Sequence, residues 1–320
     1  MAGQTALTEL TLLVAETADL TPSIRRLRLV SANGSPLPSA QPGGHLKFSM
    51  PISGPNGQRC YSLVTASGYG DGYEIAVHLA PDSLGGSRHM HGLKCGDHLL
   101  ALGPQNDFSL CPTAKKSILI AGGIGITPLL SMAHDLAQAQ ANFVLHYVAR
   151  EVELMAYRAE AEALGARLYF DEGNPQKGID LAGLLAAPQP GTHVYVCGPR
   201  PMIDATIAIA ATNGWPREQI HFELFTNGTT KTENGFEVEL KRSGDRLHVG
   251  PEESILDALI KAGHDPMFDC RRGECSACVL TALEGEIEHH DYCLSEDDRA
   301  DGQICICVSR ARGKLLVLDA

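Results

Sequence analysis

Residues 270–278 read CRRGECSAC, with four residues and then two between successive cysteines, Cys270, Cys275 and Cys278. Thiolates held that close call for a soft metal. Plant-type 2Fe-2S centres take C-x4-C-x2-C plus one distant cysteine, which fits this stretch. Gly273 permits the unusual backbone angles of a wrapping loop. Ser276 and Ala277 are small enough for backbone N–H groups to approach sulfur. Two rivals are buried free thiols and zinc. Structural zinc is usually held by two separated pairs, and the only second pair here, Cys305 and Cys307, has one residue between its members, outside that spacing. The fourth ligand is open among Cys293, Cys305 and Cys307. Cys293 lies in the acidic stretch EHHDYCLSEDD, which reads as exposed. Cys305 and Cys307 read as one strand and, with period two, one face.

A second place for chemistry is SILIAGGIGITPLL at 117–130, a strand, a glycine turn and a helix opening. Gly122, Gly123 and Gly125 leave backbone N–H groups open to a phosphate, Thr127 is expected to cap the helix, and Pro128 suits its first turn. The pattern departs from G-x-G-x-x-G, because Pro128 takes the third glycine's place. At 194–202, VYVCGPRPM puts Cys197, Gly198 and Pro199 at the end of a later strand, where α/β sheets bind ligands. A tight turn and a core thiol are the plainer readings of these two segments.

Three kinds of element must position these residues. Residues 1–110 carry six short β-type runs, ELTLLVAE, SIRRLRLVS, GHLKFSM, RCYSLVTA, YEIAVHLA and DHLLALGP, separated by Gly, Pro, Asn and Asp. With no helix expected among them, they predict a small antiparallel β-barrel. Residues 111–226 alternate strand and helix, including a helix over ELMAYRAEAEALG, and predict an α/β domain with a parallel sheet. TNGTTKTENG at 226–235 is polar and aperiodic, and 227–234 is taken as a linker. Residues 235–320 open with two strands and a helix capped by Ser254, and close with the strands QICICVSRA and KLLVLD. No internal repeat is visible.

The 320 residues carry 44% hydrophobic residues and a formal charge of −12. Residues 235–320 hold 18 acidic and 10 basic residues, a net −8. Such a balance argues against nucleic acid or an anionic membrane as partner and suits docking to a basic protein. No apolar run is long enough to span a membrane, and the first residues lack a signal-peptide pattern, so a cytoplasmic protein with reduced cysteines is expected.

Resemblance adds to this reading. Residues 235–320 resemble a plant-type ferredoxin domain of α+β, β-grasp fold, whose last ligand directly precedes a segment matched by Cys307-Val-Ser-Arg-Ala. That implies Cys307 as the fourth ligand. The glycine turn and VYVCGP resemble the NAD(P)H-binding half of the ferredoxin–NADP reductase superfamily. Arg59-Cys60-Tyr61-Ser62-Leu63 resembles its R-x-Y-S flavin motif, and Gly85-Gly86-Ser87 its phosphate-cradling turn. The resemblance implies Tyr61 against the flavin ring, Ser62 near its N5, Arg59 at the phosphate, Thr127 and Cys197 beside the nicotinamide, and Glu223 near the flavin. The order flavin, nicotinamide, iron–sulfur resembles the phthalate dioxygenase reductase family, as does GPQNDFSL at 103–110. This implies FMN rather than FAD, NADH as donor, a 2Fe-2S cluster and a Rieske-type terminal oxygenase as acceptor. Arg150 and Glu151 follow the second parallel strand. An arginine there suits a 2′-phosphate and an acid suits the ribose, which leaves NADPH open. Ser276-Ala277 departs from the family's frequent glycine, a change that bears on hydrogen bonding to sulfur. Hydride transfer from NADH to flavin, then single electrons to the cluster, is the expected chemistry. The rivals are a reductase serving a di-iron hydroxylase or another acceptor, and a non-enzymatic zinc module. His289 and His290 show no zinc-ligand spacing.

Overall fold

The structure, a computed structural model, describes residues 8–51, 57–64, 72–81, 83, 85–225 and 234–320. The chain divides into two compact units, Met1–Glu223 and Leu224–Ala320. The expected linker at 227–234 lies almost wholly outside the described residues.

The first unit begins with β1 (Glu9–Thr21), β2 (Ile24–Ser31), β3 (His45–Ser49), β4 (Gln58–Ser62) and β5 (Gly72–His78). Helix α1 (Gly86–Gly92) and β6 (His98–Gln105) complete this part. The strands pair antiparallel in the order β4-β3-β6-β1-β2-β5. A bridge from Leu63 to Ile75 joins the two outer strands and closes the barrel. Alternation sets the filling: Leu10, Leu12 and Val14 of β1 point inward with Leu27, Leu29, Phe48 and Ile75. α1 was not expected. The Gly85-Gly86-Ser87 turn opens it, with Gly85 at φ 110 as its N-cap.

Next come β7 (Lys116–Gly122), α2 (Ile126–Gln138), β8 (Phe143–Ala149), α3 (Arg158–Ala163) and β9 (Arg167–Phe170). α4 (Leu181–Leu184), β10 (Thr192–Cys197), α5 (Arg200–Thr212) and β11 (Ile220–Glu223) follow. The five strands form a parallel sheet in the order β11-β10-β7-β8-β9. Ile126 to Ala133 of α2 are all buried, so this helix opens apolar on every side. The helix expected over 153–165 is shortened to Arg158–Ala163. Tyr157 stops it by taking a left-handed φ of 56°, where its buried hydroxyl donates to Glu74 Oε1 at 2.9 Å. Barrel residues Ile24, Val64 and Ala76 share one apolar core with Leu119, Ile126 and Tyr147, which is why barrel and parallel sheet form a single unit.

The second unit contains β12 (Phe236–Leu240), β13 (Arg246–Val249), α6 (Ile255–Lys261), β14 (Val279–Glu284) and β15 (Ile287–Glu288). α7 (Glu296–Ala300), β16 (Gln303–Cys305), β17 (Arg310–Ala311) and β18 (Leu315–Leu318) follow. Its mixed sheet runs β13-β12-β18-β14-β16, and β12 lies parallel to β18. Ser254 caps α6 as expected, accepting from Asp257 N at 3.0 Å. One element was not anticipated here and one expectation fails. β14 emerges directly from the cysteine loop. The strand read over 303–311 ends at Cys305, so Cys307 sits in a turn and the two thiols do not share a strand face.

Candidate functional site

The cysteine loop carries three left-handed residues in six positions: Arg271 at φ 56, Gly273 at φ 75 and Ser276 at φ 58. At Gly273 the conformation and the space both demand glycine, since a β-carbon would lie 2.7 Å from Val308 Cγ2 and 3.0 Å from Asp291 Cα. This winding turns backbone donors toward sulfur. Arg272 N donates to Cys270 Sγ at 3.3 Å, and Cys270 N to Cys275 Sγ at 3.5 Å. Cys307 Sγ accepts from the Gly273 backbone and lies in the field of Cys270. The thiols of Cys305 and Cys307 both donate to Cys278, holding its pKa well below the ordinary thiol range. The pKa of Cys275 is pulled down to about 6, chiefly by the Cys270 thiol donating to it. A hydrogen bond to Cys278 and burial raise Cys307. Four clustered sulfurs with backbone N–H groups aimed at them, whose mutual repulsion as thiolates a cation would relieve, are a donor set suited to thiolate-bound iron.

Cys293 corrects the sequence reading. It is half-buried, and its sulfur lies 3.2 Å from Cys305 Sγ. A separation of twelve residues and an acidic flank hid this contact. Beside them Asp291 is buried, and one ligand atom from each of Asp291, Cys293 and Cys305 lies within 4.8 Å of the others.

In the first unit the remaining candidates gather from distant segments. Arg59, Tyr61 and Ser62 lie on β4, and Leu63 follows as the barrel-closing residue. Arg59 lies against the start of α1: a β-carbon on Gly86 would come 3.0 Å from Arg59 Nε. The cation and the Gly85-Gly86-Ser87 turn are thus brought together. The Ser87 hydroxyl is held inside that turn, accepting from Ala80 N at 3.2 Å and lying 2.9 Å from Ser83 Oγ. Tyr61 is half-buried with its ring 5.8 Å from Phe48, and burial pushes its pKa up to about 12, so it is a neutral ring surface. Ser62 Oγ donates to Glu223 Oε2 at 3.1 Å, both residues buried. That bond ties the end of β4 to the end of β11.

The glycine turn and the end of β10 meet. A β-carbon on Gly125 would lie 2.1 Å from the Cys197 carbonyl oxygen, and one on Gly198 3.0 Å from Gly122 Cα. Close backbone approach is therefore the reason for glycine at 125. Thr127 does not cap α2. It is the second helical residue, 1% exposed, and donates to the Ile124 carbonyl at 3.1 Å. Cys197 is fully buried, so Thr127 and Cys197 underlie the turn, and the backbone of Gly122–Gly125 and of Gly198–Pro199 forms the meeting point. Tyr157 and Glu74, which link barrel and parallel sheet, carried no signal in the sequence.

Both units of the chain resemble known proteins. Residues 238–312 match the 2Fe-2S iron-sulfur cluster binding domain, and residues 119–170 the oxidoreductase NAD-binding domain. The carnitine monooxygenase reductase subunit of Escherichia coli (strain K12) is 38% identical, over 96% of this chain and 97% of that protein. The heme-dependent oxidative N-demethylase beta subunit of Ectopseudomonas mendocina (strain ymp) is 39% identical, over 96% and 97%. A solved structure of phthalate dioxygenase reductase, described as modular for electron transfer from pyridine nucleotides to 2Fe-2S, has a TM-score of 0.75. It is 34% identical and covers 98% of both chains. No helix among the described residues is long and apolar enough to cross a membrane.

Proposed function

This chain belongs to the phthalate dioxygenase reductase family, and from that premise we propose that it is the reductase component of a Rieske-type oxygenase system. In this reading it is an NADH-dependent oxidoreductase that uses FMN and a 2Fe-2S cluster. Residues 1–110 hold the flavin, 111–226 the dinucleotide and 235–320 the cluster, with 227–234 between the last two. The observation that carries the reading is the Ser62–Glu223 bond at 3.1 Å. It sets the flavin-motif strand at the carboxyl end of the parallel sheet, where dinucleotides bind.

Cofactors supply the redox chemistry: hydride acceptance by flavin and single-electron transfer by iron. The protein's part is holding and orienting. Arg59 and the Gly85-Gly86-Ser87 turn would hold the FMN phosphate, since a guanidinium fork and the backbone N–H groups of Gly86 and Ser87 suit an anion, while Gly85 N donates to Ser83 Oγ at 3.2 Å and shapes the turn. Tyr61 offers its flat face to the ring. Leu63, sealed in the barrel, fixes the strand that presents them. Glu223, which accepts from Ser62, keeps that hydroxyl in one orientation near the flavin. Gly122, Gly123, Gly125, Gly198 and Pro199 supply the backbone surface for NADH, with Thr127 and Cys197 beneath the nicotinamide. Cys270, Cys275, Cys278 and Cys307 would hold the iron. Glu151 beside Arg150 favours the ribose of NADH over a 2′-phosphate.

A different acceptor is the second reading, favoured by the match to a heme-dependent N-demethylase subunit. Metal and flavin analysis of the protein as isolated tests the first step. About two irons and one FMN per chain, with colour that bleaches on NADH, are expected. Colourless protein containing zinc would overturn the proposal. Electron delivery to purified Rieske, di-iron and heme oxygenases separates the acceptors.

A further inference from the structure

We infer that Cys293 and Cys305 form a modification site, a thiol pair that hydrogen peroxide closes to a disulfide directly behind Cys278. The two sulfurs already stand 3.2 Å apart. A disulfide is about 2.05 Å long, so closure needs a movement of only about 1 Å. Cys293 is half-buried and gives an oxidant its way in, whereas Cys305 is fully buried and faces Cys293 as the resolving thiol.

The neighbouring carboxylate leaves the thiols to each other rather than to a cation. Asp291 Oδ1 accepts from Ser309 Oγ at 3.1 Å and lies 3.2 Å from His289 Nδ1. Its Oδ2 accepts from Leu294 N and from Arg299 Nη2, each at 3.2 Å. A metal ion at this place would displace these donors and face the Arg299 guanidinium. Disulfide formation asks none of that.

The chemistry balances with peroxide as the named oxidant. The Cys293 thiolate attacks one peroxide oxygen, the O–O bond breaks, and sulfenic acid and hydroxide form. The hydroxide takes up the proton that Cys293 released. Cys305 sulfur then attacks the sulfenic sulfur, the S–O bond breaks and the Cys305 proton leaves with that oxygen as water. Two thiols and one peroxide give one disulfide and two waters.

The test uses the iron-loaded protein treated with hydrogen peroxide, then denatured, alkylated, digested with trypsin and read by mass spectrometry. Cleavage at Arg272, Arg299 and Arg310 puts Cys293 and Cys305 on different fragments. The expected result is those fragments joined through Cys293 and Cys305 with two hydrogens lost, iron content unchanged, and reversal by dithiothreitol. Cys293→Ser should abolish the link. Both thiols recovered alkylated, a link that forms only after iron is lost, or a link that persists in Cys293→Ser would overturn the inference. Protein isolated without iron would refute the proposed function instead, a separate readout from the link itself.

Discussion

The cysteine loop and the candidate flavin–nucleotide site are built in opposite ways. Three of the four candidate sulfurs of the loop lie within nine residues, and the backbone between them winds through left-handed conformations at Arg271 and Ser276. Such conformations cost about 1 kcal/mol each for residues with a β-carbon. Local hydrogen bonds to sulfur hold them. The other site has no local core of its own. Its central bond joins Ser62 to a carboxylate 161 residues away, and its turn is shaped by Cys197 pressing on Gly125. A site made from neighbours along the chain depends on single ligands. A site made by packing depends on how two layers meet.

That contrast is broken most severely at Cys307. Cys307→Ser is expected to reduce iron content from about two per chain to near zero, while Cys305→Ser and Cys293→Ser keep it. Retention of iron in Cys307→Ser would give the fourth position to another sulfur. Second in size is Gly125→Ala. The added carbon meets a backbone carbonyl that cannot rotate away, so denaturant unfolding of the first unit should show a loss of about 3 kcal/mol, with a raised KM for NADH and normal iron. Ser62→Ala leaves a buried carboxylate short of a donor. A stability loss of about 2 kcal/mol is expected, together with slower flavin reduction by NADH in stopped flow and an unaltered cluster spectrum.

The smallest effect concerns Glu74, whose pKa burial raises above the ordinary value of 4.5. With the folded value above the unfolded one, its contribution to stability is fully present below the ordinary glutamate range and is lost as pH rises through the raised value. Unfolding curves from pH 4 to pH 8 should therefore show wild type losing ground to Glu74→Gln as pH rises. A difference that grows in the other direction would mean that the Tyr157 and Arg26 contacts outweigh burial.

Much of the architecture was legible, because period-two runs and strand–helix alternation are local records of which faces are buried. The six barrel strands and the five parallel strands were readable in this way. What escaped notice followed from contacts. α3 is short because Tyr157 turns left-handed where its hydroxyl meets Glu74. β14 was hidden by the cysteines before it, and Cys293 looked exposed because its flank is acidic while its sulfur packs on Cys305.

Spacing alone marked Cys270, Cys275 and Cys278 as candidate metal ligands, because four and two intervening residues are few enough for a loop to bring their sulfurs together whatever the rest does. Spacing also left three cysteines as equal partners for them. Resemblance pointed to Cys307, and the fold adds what spacing could not: strand β16 ends at Cys305, whose sulfur lies 3.2 Å from Cys293 Sγ, and the next turn carries Cys307 to the Gly273 backbone. Residues far apart in sequence gain a definite distance only when packing closes the chain between them, and that closure is what gave Ser62 to Glu223 and Cys293 to Cys305.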